Sequence, residues 1–256
     1  MERYKATIAY DGTDFAGFQR QKEERTVQSV LEAVLGRIAG EERVVIRGAG
    51  RTDAGVHATG QVIDFALPTW RRDTATLRHA LNGMLPGDVA VWDIATVAED
   101  FHARFSATSR AYVYTILNTP LRHPLYERMA LHEAIPLDVE AMDTAVQLLV
   151  GEHDFGSFGR ATTPSQSTVR TLLAAKVRRD GDFIKVGLAA NGFLFRMVRS
   201  LVGTLLPIGR GNHPPEWMVE VLNVRHRKAA AKVIAPNGLC LVAVGYPDTP
   251  VGAAYF

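Results

Sequence analysis

Arg51, Asp53 and His57 lie close together in R-G-A-G-R-T-D-A-G-V-H-A-T-G-Q-V-I-D-F, the stretch from Arg47 to Phe65. A carboxylate with a guanidinium beside it is held in its ionised form. An ionised carboxylate can attack an electrophilic carbon or take a proton. Gly48, Gly50, Gly55 and Gly60 surround the group, and glycine at this density marks a shaped loop in which backbone takes φ > 0 or neighbours approach closely. Asp53 and His57 form an incomplete metal pair, with no third ligand in view. Asp11 and Asp14 lack the calcium-loop pattern. There is no G-x-x-x-x-G-K-[ST] phosphate loop, no G-x-G-x-x-G opening a helix and no paired-cysteine zinc spacing, so chemistry driven by nucleotide energy is not indicated.

Further groups that can serve a site lie elsewhere. Arg104 stands in F-H-A-R-F-S-A, Tyr112 and Tyr114 follow Arg110, and Arg199 stands in F-L-F-R-M-V-R-S. On a helical wheel Arg199 falls on the flank of an apolar stripe, where it can reach into a neighbouring cleft, and Arg196 points almost opposite.

The elements that must position these groups can be read from periodicity. Arg3 to Tyr10 alternates as a strand, and D-G-T-D-F-A-G-F-Q-R-Q breaks it. Thr26 caps a helix with Val27, Leu31, Val34, Leu35 and Ile38 on one stripe, closed by Gly40. Val44 to Ile46 and the alternating residues around Ile63, Phe65 and Leu67 make the strands flanking the Asp53 loop. Asp73 caps a second helix carrying Leu77, Ala80, Leu81 and Met84, and Val89 to Val97 is the next strand. The order is β-α-β-β-α-β, the split ferredoxin-like arrangement.

The second part repeats that order. Ala111 to Leu117 is a strand, Asp138 caps a helix with Met142, Ala145, Val146 and Leu149, and R-D-G-D joins two strands, Val169 to Arg179 and Phe183 to Ala190, as a hairpin. Leu194 to Leu205 carries a helical stripe, Pro214 and Pro215 start another helix, and Gly238 to Tyr246 is the closing strand. The fold class is therefore α+β, with two ferredoxin-like halves of mainly antiparallel strands joined around a central cleft. The boundary is expected near Phe105. Residues 1–105 form an N-terminal α/β half carrying the Asp53 loop, and residues 106–256 a C-terminal α/β half completing the cleft.

Composition sets the outer bounds. At 256 residues the chain can bury a large core without staples. Its single cysteine, Cys240, excludes an internal disulfide and reads as a buried small apolar residue. No apolar run approaches a membrane span and no cleavable leader is visible, so the expected location is cytoplasmic. The formal charge of +2 is too small to argue for a polyanionic partner, yet 23 of the 29 basic residues are arginine, whose planar fork suits phosphate contact and base stacking; the same usage fits a GC-rich genome or a heat-loving host equally well.

G-R-T-D-A-G-V-H-A-x-G-Q-V resembles the loop of the tRNA pseudouridine synthases of the TruA type. The likeness continues in order along nearly the whole chain. It includes Y-D-G-T-D-F-A-G-F-Q-R-Q with T-V-Q at Thr26 to Gln28, F-H-A-R-F-S-A-T-S-R-A-Y at Phe101 to Tyr112 and G-E-H-D-F-G-S-F at Gly151 to Phe158. It goes on through T-V-R-T at Thr168 to Thr171, N-G-F-L-F-R-M-V-R-S-L-V-G at Asn191 to Gly203 and G-L-C-L-V-A-V-G-Y-P at Gly238 to Pro247. Phe18 stands where the family often has tryptophan, and Phe195-Arg196 where it often has two histidines, which leaves the role of Arg196 open.

The resemblance implies an isomerase that detaches uracil from C1′, turns it and rejoins it through C5, with no cofactor and no metal. It implies uridines 38, 39 and 40 of the tRNA anticodon stem-loop as targets, a homodimer, no membrane, and a cleft that binds RNA. By the same likeness Asp53 is the catalytic carboxylate. Tyr112 stacks on the uracil, Arg199 pairs with Asp53 and Leu239 packs on the base, while Arg51 stabilises the flipped nucleotide or fills its place and Arg104 contacts the substrate. Two other readings stand beside this one. A non-catalytic RNA-binding protein has no need of Asp53, and a metal-dependent hydrolase using Asp53 and His57 would lose activity with chelator.

Overall fold

The computed structural model describes residues 2–161, 163 and 166–251. In chain order the elements are β1 (Arg3–Tyr10), α1 (Val27–Ala39), β2 (Ile46–Gly48), β3 (His57–Ala66), α2 (Thr74–Met84), β4 (Val89–Val97) and β5 (Ser109–Leu117). There follow β6 (Leu131–His132), α3 (Val139–Gln147), β7 (Gly151–Asp154), β8 (Val169–Asp180), β9 (Phe183–Ala190), α4 (Met197–Gly209), α5 (Trp217–Val224) and β10 (Leu239–Gly245). The fold is a mixed α/β one with mostly antiparallel pairing. The chain divides into two compact units, Met1–Thr108 with Leu241–Pro250, and Ser109–Cys240 with Val251–Phe256.

In the first unit β1 is central. It pairs antiparallel with β3 (Ala6 opposite Ile63) and with β4 (Ala6 opposite Ile94), and its alternation buries Tyr4, Ala6, Ile8 and Tyr10. β3 carries β2 and β10 as further neighbours. Thr26 accepts from Ser29 N–H while the Ser29 hydroxyl takes Thr26 N–H, a capping box that starts α1 and satisfies two donors the helix cannot. Val27, Leu31, Val34 and Leu35 are buried along its inner face, each stabilising the unit by roughly 1.5–3 kcal/mol.

Three local expectations need correction. The strand before the Asp53 loop is Ile46–Gly48, not Val44 to Ile46. Val44 N–H is donated to Glu32 O on α1 and Val45 is exposed, so this apolar run is a helix-to-strand corner. After the loop, β3 begins already at His57, which makes that histidine a strand residue. In α2 only Leu77 and Leu81 are buried. Met84 is exposed, because Leu85 leaves the helix with ψ 147 ahead of Pro86, which disfavours helical backbone in the preceding residue.

In the second unit the order is β5-β9-β8-β7, with the short β6 on β5. Asp180 opposes Phe183, leaving Gly181-Asp182 as a two-residue turn in which Gly181 takes φ +58; such tight hairpins favour left-handed backbone in the turn. α3 packs on β8 and α4, and α4 packs on β5. The α4 stripe is buried as read, but the helix starts at Met197 rather than Leu194. Arg196 lies before it in left-handed conformation with φ +62, so its helical-wheel position has no structural meaning. Cys240 is half-buried rather than buried: β10 alternates, with Leu239 and Leu241 inward and Cys240 between them.

Candidate active site

Asp53 sits on a tight turn between β2 and β3. Val56 N–H is donated to Asp53 O at 3.2 Å, and Gly55 takes φ +76 within the turn. Asp53 is half-buried, Arg51 is exposed, and the intervening Thr52 is buried. The turn thus anchors by Thr52 and presents the residues on either side.

The anchor comes from residues 10–18. The Tyr10 and Thr52 hydroxyls are 2.9 Å apart, and Phe18 N–H is donated to Thr52 O at 3.1 Å. Gly12 N–H is donated to His57 Nδ1 at 3.0 Å, with Asp11 Oδ1 3.1 Å from the same nitrogen. Two glycines allow this fit. A Cβ on Gly12 would lie 1.9 Å from Val56 O, and one on Gly17 would lie 2.9 Å from Thr52 O. The sequence marks D-G-T-D-F-A-G-F only as a break in a strand; its work as the mount of the Asp53 turn was not legible there, because it depends on backbone approach rather than on side-chain type.

The glycines of the Asp53 stretch divide in purpose. A Cβ on Gly60 would lie 2.1 Å from Val242 O, and one on Gly48 would lie 2.4 Å from the Phe18 ring. These two serve strand and ring packing, whereas Gly50 has open space around it.

A buried ion cluster underlies the same unit. Asp64, fully buried on β3, accepts from Arg3 at 2.6 Å, from Arg47, and from Ala103 N–H at 2.7 Å. Arg47 also donates to Phe101 O at 2.8 Å. The cluster fixes the segment that carries Arg104, which is exposed, with its N–H donated to His102 Nδ1 at 3.1 Å. Neither Arg47 nor Asp64 stood out in the sequence. The signal was a lone aspartate within an apolar strand, which needs a partner when buried.

In the second unit Tyr112 is nearly buried on β5, edge-on to Phe193 at 5.1 Å. Arg199 is half-buried on the first turn of α4 and donates through Nε to Ile234 O at 2.8 Å. Tyr114 hydroxyl is donated to the adjoining Ala235 O at 2.8 Å. Burial pushes the Tyr114 phenol well up, and the Arg199 guanidinium opposes this in part. Arg199 and Tyr114 together hold the segment that leads to Leu239, where β10 begins. That residue is buried, with its N–H donated to Pro236 O at 2.8 Å.

Asp53, Arg51 and Arg104 are thus supplied by the first unit, and Tyr112, Arg199 and Leu239 by the second. Among the described residues no group of three or more His, Cys, Asp or Glu is placed to hold a metal ion. Among the same residues no helix is long and apolar enough to cross a membrane.

The class is an α/β protein of two units with mostly antiparallel strand pairing that carries a carboxylate on a glycine turn. A family model described as tRNA pseudouridine synthase matches residues 6–106 and 145–247. Proteins named tRNA pseudouridine synthase A from Salmonella paratyphi B (strain ATCC BAA-1250 / SPB7), Salmonella newport (strain SL254) and Salmonella heidelberg (strain SL476) are each 46% identical over 242 residues. Those matches cover 94% of this chain and 88% of each relative. A solved chain from a Cbf5-Nop10-Gar1 complex aligns over 79% of this chain and 54% of its own length, at 13% identity and a TM-score of 0.31. The chain belongs to the tRNA pseudouridine synthase family.

Proposed function

We propose that the chain isomerises uridine to pseudouridine at positions 38, 39 and 40 of the tRNA anticodon arm, with Asp53 as the catalytic carboxylate and no cofactor. The observation that carries the assignment of Asp53 is its mount: a half-buried carboxylate on a turn whose Thr52 is held by Tyr10 and Phe18 and whose Val56 packs closely against Gly12. A reacting group held this way keeps its geometry without reorganisation at the moment of reaction.

The reaction balances without an external reagent. The N1–C1′ bond breaks, a C5–C1′ bond forms, C5 gives up its proton to solvent and N1 gains one. A carboxylate suits this sequence because it can add to the base, attack C1′ or remove a sugar proton and then leave again. The target must first leave the stack, at a cost of a few kcal/mol. Arg51, exposed next to the anchored Thr52, is assigned to the flipped nucleotide or the gap it leaves, and Arg104 to the RNA backbone. Tyr112 is assigned to stacking on the uracil, Leu239 to packing on it, and Arg199 to holding the carboxylate ionised. Adjacent targets call for recognition of tRNA shape and backbone more than of base sequence. The same reading gives a homodimer acting in the cytoplasm.

Release of tritium from C5-labelled uridine in a tRNA transcript with an intact anticodon arm tests the activity. Release at positions 38–40 is expected; binding without release would leave an RNA-binding protein instead. Sedimentation of the 28.0 kDa chain tests the dimer, for which twice that mass is expected.

A further inference from the structure

Phe105 is 77% exposed, and its surroundings set it apart from a stray apolar side chain. The segment that carries it is pinned on every side. Arg47 holds Phe101 O, Asp64 holds Ala103 N–H, and the Tyr246 hydroxyl is donated to Ala103 O at 2.9 Å. Ala103 belongs to a small core with Ala49, Val62 and Tyr246, against which Phe101 and Ala107 also pack. His102 O accepts from Ser106 N–H at 2.9 Å, and the Ser106 hydroxyl accepts from His102 N–H at 3.2 Å. Phe101, Ala103 and Ala107 therefore face the core while Phe105 faces water.

Two neighbours complete a surface of particular chemistry. The His102 ring lies 4.4 Å from the Phe105 ring, centre to centre, and the Arg104 guanidinium lies 5.8 Å from it. Burial, with Arg47 nearby, holds His102 below its usual range, so at neutral pH its imidazole is an uncharged ring. Among the other strongly exposed apolar side chains, Leu121 and Leu125 have no π-face, and Trp92 stands at the point where the β1–β4 register shifts, with no ring or guanidinium contact of the kind that surrounds Phe105 among the described residues.

We infer that Phe105 is a stacking platform for a base of the RNA substrate, outside the pocket of the reacting uridine, with Arg104 beside it for the adjoining phosphate. The inference rests on the tRNA reading and adds to it a contact of defined chemistry. A rigid exposed ring loses almost no conformational freedom when a base covers it. Base–aromatic stacking is sequence-tolerant because every base has a π-face, as an enzyme acting on adjacent positions in different tRNAs requires.

Three variants of the full chain test it: Phe105→Ala, Phe105→Leu, which keeps apolar bulk without a π-face, and Phe105→Trp. Because the ring is exposed, all three are expected to melt as wild type. Affinity for an unmodified tRNA transcript should fall about 5- to 100-fold in Phe105→Ala and Phe105→Leu, with single-turnover tritium release at saturating enzyme within about threefold of wild type. Phe105→Trp should bind as wild type, and tRNA should quench its emission beyond the change seen with the native tryptophans. Phe105→Leu binding within twofold of wild type, or no added quenching in Phe105→Trp, overturns the inference. So does a change in sedimentation with unchanged tRNA affinity, which would make the ring a protein contact. Failure of the wild-type chain to release tritium would strike the isomerase reading; wild-type release alongside unaffected Phe105 variants would strike the platform alone.

Discussion

In the proposed reaction the chemistry at Asp53 rests on one ionisable group, and the environment sharpens what its replacement should do. An amide in Asp53→Asn keeps the size and the turn, since the turn is closed by the backbone of Asp53 and Val56 rather than by the carboxylate. It cannot attack carbon or accept a proton. Turnover is therefore expected to fall by at least about 10²- to 10⁴-fold, with tRNA affinity kept, as measured by single-turnover tritium release and filter binding on one preparation. Activity within tenfold of wild type would remove Asp53 from the catalytic role. At this scale residue type in the sequence marks candidates, as for Arg51 and Asp53, which the turn presents on either side of the buried Thr52. It fails where backbone conformation decides. Arg196 reads as a helix residue until its positive φ is seen, and His57, read as part of the loop, is the first residue of β3 and accepts Gly12 N–H at its Nδ1.

Elements carry the next level of information, and the fit of residues 10–18 under the Asp53 turn is a relation between two of them. Gly12→Ala would force backbone apart, since its Cβ would lie 1.9 Å from Val56 O. Gly50→Ala meets nothing within 4 Å. The expected outcome is a loss of about 1–3 kcal/mol for Gly12→Ala, in line with overpacking, and a near-neutral Gly50→Ala, both read by urea denaturation. Equal effects would mean that the close approach does not matter. Asp64→Ala should cost more, about 3 kcal/mol, because it leaves the Arg3 and Arg47 guanidiniums without their buried partner. The drop in urea midpoint is the measure. The periodic elements were largely legible: capped helices at Thr26, Asp73 and Asp138 and the Gly181-Asp182 hairpin stand where propensity and pattern put them. The exceptions are boundaries set by contacts distant in sequence, such as the Val44 N–H bond to Glu32 O that turns an expected strand into a corner.

At the scale of the whole molecule, charge decides how a nearly neutral chain meets a polyanion. A net +2 over 256 residues provides little long-range steering. On the proposed reading, affinity for tRNA comes in good part from arginines at the contact, each displacing counterions from phosphate. The logarithm of the association constant should fall linearly with the logarithm of salt concentration, by roughly 0.7 to 0.9 per phosphate neutralised. Arg104→Gln should reduce that slope by about one phosphate's share. Phe105→Leu should lower affinity with the slope unchanged, since stacking displaces no ions. Filter binding between roughly 50 and 200 mM salt separates the two. An unchanged slope in Arg104→Gln would take the guanidinium off the RNA backbone, and a reduced slope in Phe105→Leu would mean that the ring acts by orienting Arg104 rather than by covering a base.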